Sequence, residues 1–177
     1  MFIRQANADD TAIIHDIGCR SYRSNFTNIW TPTGLENHLQ KGFNPEIIQS
    51  SLNRLDSELW LLISTTQSDP PIGFAMLKKD SPIPVQSPNP NKPSIEIQKL
   101  YFLPEASGQG KGKQLMDFAL NFAKESGYPI IWLDVLKSNE GAIRFYEANG
   151  FEQVGQLAFK TDCREVGQWV MVKKLKN

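Results

Sequence analysis

The sequence lacks several features that mark large classes of proteins. Its 177 residues include only two cysteines, which are too few for a disulfide framework. No apolar run approaches the length of about 20 residues that a membrane-spanning helix needs. The N-terminal segment also lacks the long apolar core of a signal peptide. These absences predict a cytoplasmic protein with no membrane partner.

The charged residues show no excess of either sign. Nineteen Lys and Arg residues balance nineteen Asp and Glu residues. Nucleic-acid-binding domains usually carry a basic patch or stripe, and no basic block stands out here. A nucleic-acid partner is therefore not expected. The length fits one domain with a sizeable core, so residues 1–177 are interpreted as a single domain.

The apolar pattern predicts alternating strands and helices. Strands are expected at 2–5, 59–63, 72–77, 95–103, 130–136, 151–160 and 166–175. Helices are expected from near residue 9, at 33–41, 45–55 and 113–126, and between Asn139 and Gly150. Strand–helix–strand units between terminal hairpins predict an α/β (α+β mixed) fold, a central twisted mixed sheet of about seven strands with helices on both faces. Five prolines in residues 80–94 predict an exposed surface loop rather than a linker between domains.

Residues 100–113 are the most informative stretch. An apolar, β-prone run ends at Pro104, three alternating glycines follow, and a helical pattern then begins. Glycines let backbone N–H groups turn toward one point, and a helix start adds unpaired N–H donors and a positive dipole end. Such a loop suits a phosphate or pyrophosphate. The alternative is a glycine-rich turn that binds nothing.

Two common nucleotide-binding motifs do not fit this loop. A P-loop would need glycine where the chain has Ser107 and Ser or Thr where it has Gln114. The dinucleotide fingerprint Gly-x-Gly-x-x-Gly is one residue longer than the Gly-x-Gly-x-Gly found here. The loop therefore indicates a phosphorylated cofactor of another kind.

A second pattern, Val-x-x-x-Asn-x-x-Ala-x-x-Phe-Tyr-x-x-x-Gly-Phe, covers residues 135–151. With the glycine loop before it, the chain resembles the GCN5-related N-acetyltransferase (GNAT) family. Residues 21–26, 94–101 and 131–133 are most similar to bacterial spermidine/spermine-type N-acetyltransferases. The resemblance implies direct transfer of the acetyl group of acetyl-CoA to a primary amine through a tetrahedral intermediate, without a metal.

The resemblance also implies a set of residues that bind acetyl-CoA. In the family, a bulge near residues 100–102 frees a backbone N–H for the acyl oxygen. Ser107 replaces the Arg or Gln that the family usually has near the pyrophosphate, so binding would depend more on backbone N–H groups. The expected set is Leu100, Tyr101, Phe102, Ser107, Gly108, Gln109, Gly110, Lys111, Gly112, Lys113 and Asn139.

Two side chains are the candidates for proton transfer. Tyr146 matches the family tyrosine beside the CoA sulfur, where a phenol can protonate the leaving thiolate; the alternative is a core aromatic. Glu96 matches the strand position of glutamate bases in several members; the alternative is a charge that orders the strand or attracts the substrate cation. His15 and His38 are expected on solvated helix faces away from the motifs.

The acceptor site is expected to include Tyr22, Phe26 and Asp134. The subfamily resemblance implies a small primary amine such as a polyamine, although Gln168 stands where that subfamily often has an acid. Two alternatives remain open: an acetyltransferase for peptide or protein amines (N-terminal or lysine), and a non-catalytic acyl-CoA-binding regulatory domain on the same fold. A homodimer is also open.

Overall fold

The computed structural model describes residues 1–85, 92–106 and 110–175. Within them, seven strands form one sheet in the order β1-β2-β3-β4-β5-β7-β6. The strands are β1 Phe2–Gln5, β2 Glu58–Ser64, β3 Gly73–Lys78, β4 Ser94–Phe102, β5 Ile130–Leu136, β6 Glu152–Lys160 and β7 Glu165–Lys174. The helices are α1 Thr11–Phe26, α2 Pro32–Phe43, α3 Pro45–Leu52, α4 Lys111–Glu125 and α5 Glu140–Ala148.

The sheet is mixed, as the sequence predicts. The β4–β5 pair is parallel and the other pairs are antiparallel. A parallel pair needs a crossover connection, and α4 supplies it. The predicted α/β fold with a central mixed sheet of seven strands is confirmed.

Helices cover both faces of the sheet because its middle strands are apolar on both sides. Leu61 and Ile63 of β2 point toward the core that α4 and α5 cover. Trp60 and Leu62, one residue out of phase, point toward the core covered by α1, α2 and α3. A smaller apolar cluster lies at the β5–β7 end of the sheet.

The ends of the helices follow their capping residues. Thr31 and Asn44 cap α2 and α3 through their side-chain oxygens, and each is followed by a proline at the first helical position. Asn7 caps a short 3-10 turn at Ala8–Asp10, and α1 then begins at Thr11 rather than near residue 9.

Strands β4 and β5 pair over only three residues. Ser94, Ile95 and Glu96 pair with residues 130–132, and no later residue of β4 pairs with β5 in the described chain. On its other side, β4 pairs with β3 through Phe102, with one register shift that leaves Gln98 without a partner. The bulge that the resemblance implies near residues 100–102 is thus found at Gln98, two residues before them, and residues 100–102 themselves pair regularly with 73–75.

The proline-rich segment 80–94 is only partly exposed. Ser81 is buried, and its carbonyl oxygen accepts hydrogen bonds from Trp132 Nε1 at 2.9 Å and from Ser94 Oγ at 2.6 Å. Ile83 and Val85 pack on the apolar cluster at the β5–β7 end. Residues 86–91 of this loop lie outside the described residues. The expectation of an exposed loop is thus wrong for the segment's first part.

Over residues 1–85, 92–106 and 110–175, no helix is both long and apolar enough to cross a membrane.

Candidate active site

A cavity of about 770 Å³ opens where β4 and β5 separate. Its walls come from residues 97–102 of β4 and 134–136 of β5, which would pair if the parallel ladder continued. Since they do not pair, the backbone groups of β4 on this side remain available to a ligand. Helices α1, α2, α4 and α5 and the β6–β7 hairpin supply further walls.

The cavity reaches both faces of the sheet. Leu100 and Phe102 pack toward the core under α4 and α5, whereas Tyr101 packs toward α1–α3. All three line the cavity. We call the side toward α4 and α5 the cofactor end, because it contains the glycine loop. We call the side toward α1–α3 and the β6–β7 hairpin the acceptor end.

The cofactor end is built at the N-terminus of α4. Gly110 caps this helix with a φ of +70°, a left-handed conformation that favours glycine. Gly110, Gly112 and Lys113 line the cavity, and Lys113 forms an ion pair with Asp117. The first N–H groups of α4 and its positive dipole end therefore face the cavity.

Other expected cofactor residues differ in placement. Lys111 lies in the first turn of α4, but it is not among the described residues that line the cavity. Asn139 lines the cavity and caps α5, because its Oδ1 accepts a hydrogen bond from the Ala142 N–H at 3.2 Å. Ser107, Gly108 and Gln109 lie outside the described residues.

Tyr146 of α5 lines the cavity and packs against two other rings. Its ring centroid is 5.4 Å from that of Phe145 and 5.9 Å from that of Phe151. Burial raises the pKa of the Tyr146 hydroxyl well above its usual range, and the nearby charge of Asp134 raises it further. Tyr146 therefore remains a protonated phenol, which can donate a proton.

Asp134 is the carboxylate that lines the cavity. Burial raises its pKa to about 6, with a further contribution from the charge of Glu96, while Lys99 acts in the opposite direction. Gln168 Nε2 donates a hydrogen bond to Asp134 Oδ1 at 2.7 Å. The raised pKa makes Asp134 a stronger proton acceptor than an ordinary aspartate at neutral pH.

Glu96 lies beside the cavity rather than in its wall. Its side chain is 8% exposed, and Ser81 Oγ donates a hydrogen bond to Glu96 Oε2 at 2.7 Å. Glu96 is the last residue of β4 that pairs with β5, and the cavity begins just after it. Its charge raises the pKa of Asp134 and also that of Lys99.

Aromatic residues cluster at the acceptor end, where Tyr22, Phe26, His38 and Phe159 line the cavity and Trp30 packs against them. His38 lies between Tyr22 and Trp30, with ring centroids 4.7 and 4.6 Å away and tilts near 30°. Phe26 packs on Tyr22 at 4.7 Å, and Phe159 meets Trp30 edge-on at 5.8 Å. We call these five residues the aromatic wall. The expected substrate residues Tyr22 and Phe26 both line the cavity.

The β6–β7 hairpin is attached to the start of α2, which holds Phe159 against the aromatic wall. Asp162 Oδ1 accepts a hydrogen bond from the Thr31 N–H at 3.1 Å, and its other oxygen accepts one from the Thr31 hydroxyl. Cys163 Sγ donates to the carbonyl oxygen of Ile29 at 3.4 Å. A side chain at Gly34 would collide with Asp162, so glycine permits this contact.

The two histidines do not lie on solvated helix faces as expected. His38 is half-buried and lines the cavity; burial lowers its pKa, and the charge of Lys99 adds to the effect. His15 is also half-buried, with Nδ1 at 2.7 Å from the carbonyl oxygen of Phe43. The signal for His38 was its spacing, because it shares a helix face with the buried residue Leu35 three positions earlier.

Lys99 is a site residue that sequence reasoning missed. It lines the cavity at the acceptor end, with Nζ 5.3 Å from the centroid of the Phe43 ring. Burial lowers the pKa of Lys99, and the carboxylates of Glu96, Glu58 and Asp134 oppose this shift. The available signal was a lysine next to the apolar run of residues 100–103 that leads into the glycine loop.

No metal-binding group is evident in the described part of the chain, where no three His, Cys, Asp or Glu side chains come together suitably.

The chain matches the model of the acetyltransferase (GNAT) family over residues 19–151. It is 36% identical over 81 residues to an uncharacterised N-acetyltransferase of Mycobacterium tuberculosis, a match that covers 46% of this chain and 52% of the relative. It is 39% identical over 59 residues to an uncharacterised Escherichia coli N-acetyltransferase, 33% of this chain and 35% of the relative. The chain thus spans about half or less of the length of these relatives.

Solved structures with this fold cover nearly the whole chain. The PaiA N-acetyltransferase of Thermoplasma acidophilum, in complex with coenzyme A, has a TM-score of 0.76 at 23% identity over 98% of both chains. The ribosomal-protein-alanine N-acetyltransferase of Brucella melitensis has a TM-score of 0.72 at 22% identity, covering 99% of this chain and 100% of that one. At these identities the likeness establishes the fold.

Proposed function

Since the chain belongs to the acetyltransferase (GNAT) family, we propose that it transfers the acetyl group of acetyl-CoA to a primary amine. One observation carries the proposal: the gap between β4 and β5 joins the N-terminus of α4 to a cavity that contains Asp134 and Tyr146. The Thermoplasma structure, which holds coenzyme A on this fold, supports the assignment of the cofactor.

The cofactor end suits the two parts of coenzyme A. The N–H groups at the start of α4 and its dipole favour the pyrophosphate, and Lys113 adds a positive charge. The unpaired edge of residues 97–102 offers backbone groups to the amide-containing arm, in the manner of an added strand. An unpaired N–H of this edge is also suited to stabilise the oxyanion of the tetrahedral intermediate.

Asp134 is our candidate for the general base. The amine nitrogen attacks the thioester carbonyl and gives up a proton, which the ionised carboxylate of Asp134 accepts. Its pKa of about 6 leaves it ionised at neutral pH yet more basic than a solvated aspartate. Glu96, the base that the resemblance implies, supports this role indirectly, because its negative charge helps to raise the pKa of Asp134.

Tyr146 is our candidate for the general acid. When the tetrahedral intermediate collapses, the C–S bond breaks and the sulfur leaves as a thiolate. Tyr146 gives this sulfur its hydroxyl proton and recovers one from solvent, so that the products are the amide and free CoA. A buried phenol at the cavity wall is protonated at neutral pH, as this step requires.

For the acceptor we propose a small primary amine rather than a polyamine. Among the described residues that line the cavity, Asp134 is the only carboxylate, whereas Lys99 is a cation at the acceptor end. A polyamine would bring a second ammonium into this environment, where like charges repel. We also propose a cytoplasmic location, which the absence of a membrane-spanning helix in the described part of the chain permits.

Release of CoA tests the function directly. The full chain would be incubated with acetyl-CoA and a panel of monoamines, amino acids, polyamines and peptides, and the free thiol would be measured with a chromogenic reagent. We expect thiol release that depends on the amine, with the acetylated amine identified by mass spectrometry. Binding of acetyl-CoA without turnover on any amine would instead support the non-catalytic acyl-CoA-binding alternative.

A further inference from the structure

Lys99 places a positive charge in the acceptor end without a direct partner. Over residues 1–85, 92–106 and 110–175, its Nζ makes neither a hydrogen bond nor an ion pair. Its close contact is the ring of Phe43, 5.3 Å from the ring centroid. A half-buried ammonium in this position favours the binding of an anionic group, because a charge-assisted hydrogen bond to that group would replace the water that burial removes from the ammonium.

Asp134 supplies the opposite charge in the same cavity. Lys99 and Asp134 influence one another electrostatically, yet they form no ion pair. Asp134 is already oriented by Gln168. The two charges therefore remain available to a ligand that carries an amine and an anion close together.

The aromatic wall supplies an apolar surface beside these charges. Tyr22 and His38 present rings rather than charges to the cavity, because burial favours neutral His38, and Trp30 stacks on His38. Trp30 Nε1 is already bonded to the Tyr22 hydroxyl at 3.2 Å. This wall favours contact with a flat apolar group, which aromatic rings provide through offset or edge-on packing.

We propose that the acceptor is an α-amino acid with an aromatic side chain. Its amine faces Asp134, its carboxylate pairs with Lys99, and its ring packs on the aromatic wall. This proposal rests on the proposed acetyltransferase function and assigns Lys99 as the residue that selects a carboxylate next to the amine. A polyamine would bring an ammonium to Lys99, and a peptide N-terminus would bring a neutral amide.

The test compares three aromatic amines that differ only at the carboxylate, together with a polyamine. With saturating acetyl-CoA, kcat/KM would be measured for L-phenylalanine, L-phenylalaninamide, phenethylamine and spermidine. We expect L-phenylalanine to exceed each of the others by about tenfold or more, the factor that one hydrogen bond to a charged group supplies. The variants are Lys99→Met, which keeps an unbranched chain without the charge, and Lys99→Arg, which keeps the charge.

The preference for L-phenylalanine over phenethylamine is the deciding ratio. Lys99→Met should reduce it about tenfold, mainly through the KM for L-phenylalanine, and Lys99→Arg should retain most of it. If Lys99→Met does not fold, as judged by its thermal transition, Lys99→Gln serves the same purpose. A ratio near one in the wild-type chain, or a ratio that Lys99→Met leaves intact, overturns the inference.

The same panel separates this inference from the proposed function. Efficient acetylation of L-phenylalaninamide, phenethylamine or spermidine, without preference for the amino acid, would overturn the inference while acetyl transfer stands. Tight binding of acetyl-CoA with no acceptor acetylated would overturn both.

Discussion

Gln168 donates a hydrogen bond to Asp134 across the β5–β7 pair, with Nε2 2.7 Å from Oδ1. Asp134 pairs with Val170, so Gln168, two residues away along β7, lies diagonally opposite on the same face of the sheet. This contact orients the carboxylate in the cavity. Because a carboxylate accepts the bond, the contact also favours the charged form of a group whose pKa burial has raised.

Replacement of Gln168 by Leu should therefore move the pH dependence of catalysis. The charged form of Asp134 loses a donor, so its pKa should rise above the wild-type value of about 6. The acidic limb of the kcat profile should shift to higher pH. Gln153→Leu, on the exposed face of β6, is the matched control and should leave the limb in place. A limb that Gln168→Leu does not shift would mean that Asp134 is not the titrating group.

Asp134→Asn should remove the base itself. We expect kcat to fall by about 100- to 10,000-fold and the acidic limb near pH 6 to disappear. Glu96→Gln provides the contrast, since it removes a negative charge that raises the pKa of Asp134. Its profile should keep the limb but move it to lower pH. If Glu96→Gln abolishes the limb and Asp134→Asn keeps it, Glu96 is the base.

Tyr146→Phe should slow turnover without weakening the binding of the cofactor. The ring retains its packing against Phe145 and Phe151 while the acidic hydroxyl is lost. A fall in kcat of about 100- to 10,000-fold is expected, with the dissociation constant for CoA nearly unchanged in calorimetry. Tyr128→Phe removes a hydroxyl that bonds to Asp80 away from the cavity, and it should keep full activity. Equal turnover of Tyr146→Phe and wild type would leave Tyr146 a packing residue.

Gly112→Asp should separate cofactor binding from folding. A Cβ at Gly112 would meet Phe145 at an ordinary 3.5 Å, so the added side chain is tolerated. The negative charge of an aspartate in the first turn of α4 also interacts favourably with the positive end of the helix dipole, so thermal stability should be maintained. The same negative charge faces the pyrophosphate, and we expect CoA affinity to fall at least about tenfold.

Gly42→Asp is the control for that experiment, because a Cβ there meets nothing within 4 Å and Gly42 does not line the cavity. It should bind CoA as the wild type does. Undiminished CoA binding by Gly112→Asp would exclude the N-terminus of α4 as the pyrophosphate site.

Apolar periodicity was sufficient to predict the fold but not the details of the gap in the sheet. The order of strands and helices follows from local patterns, and the mixed sheet is confirmed. The bulge at Gln98 depends on the register between β3 and β4, which is set by tertiary packing rather than by the sequence of β4 alone. The family resemblance implies a bulge near residues 100–102, two residues after its place in the structure.

The acceptor end was harder to predict because its residues are distant in the sequence. Lys99 and His38 gain their roles only when α2, β4 and the β6–β7 hairpin come together around the cavity. Asp134 and Glu96 are both carboxylates on central strands. Which one lines the cavity depends on where β4 and β5 separate, and the two sequences carry no local signal for that point.

Asp134→Asn should also change stability in a pH-dependent way. The folded-state pKa of about 6 lies above the 3.8 of an ordinary aspartate, so the folded state binds the proton more tightly than the unfolded state does. The favourable contribution of Asp134 is thus complete below the unfolded pKa and is lost as pH rises through about 6. Asparagine carries no charge into this partly desolvated site, so the variant should melt slightly above wild type above that pH; the gain is small because Asp134 remains exposed to solvent in the open cavity.

The difference in melting temperature should shrink as pH falls from about 6 to 4, because the folded aspartate becomes protonated, and it should vanish only below the unfolded pKa of 3.8. Thermal transitions at several pH values between 4 and 8 would measure it. Asp69→Asn, on an exposed loop, is the control and should show no such trend. A gain that is independent of pH would indicate that the variant acts through packing, and the raised pKa assigned to Asp134 would then be wrong.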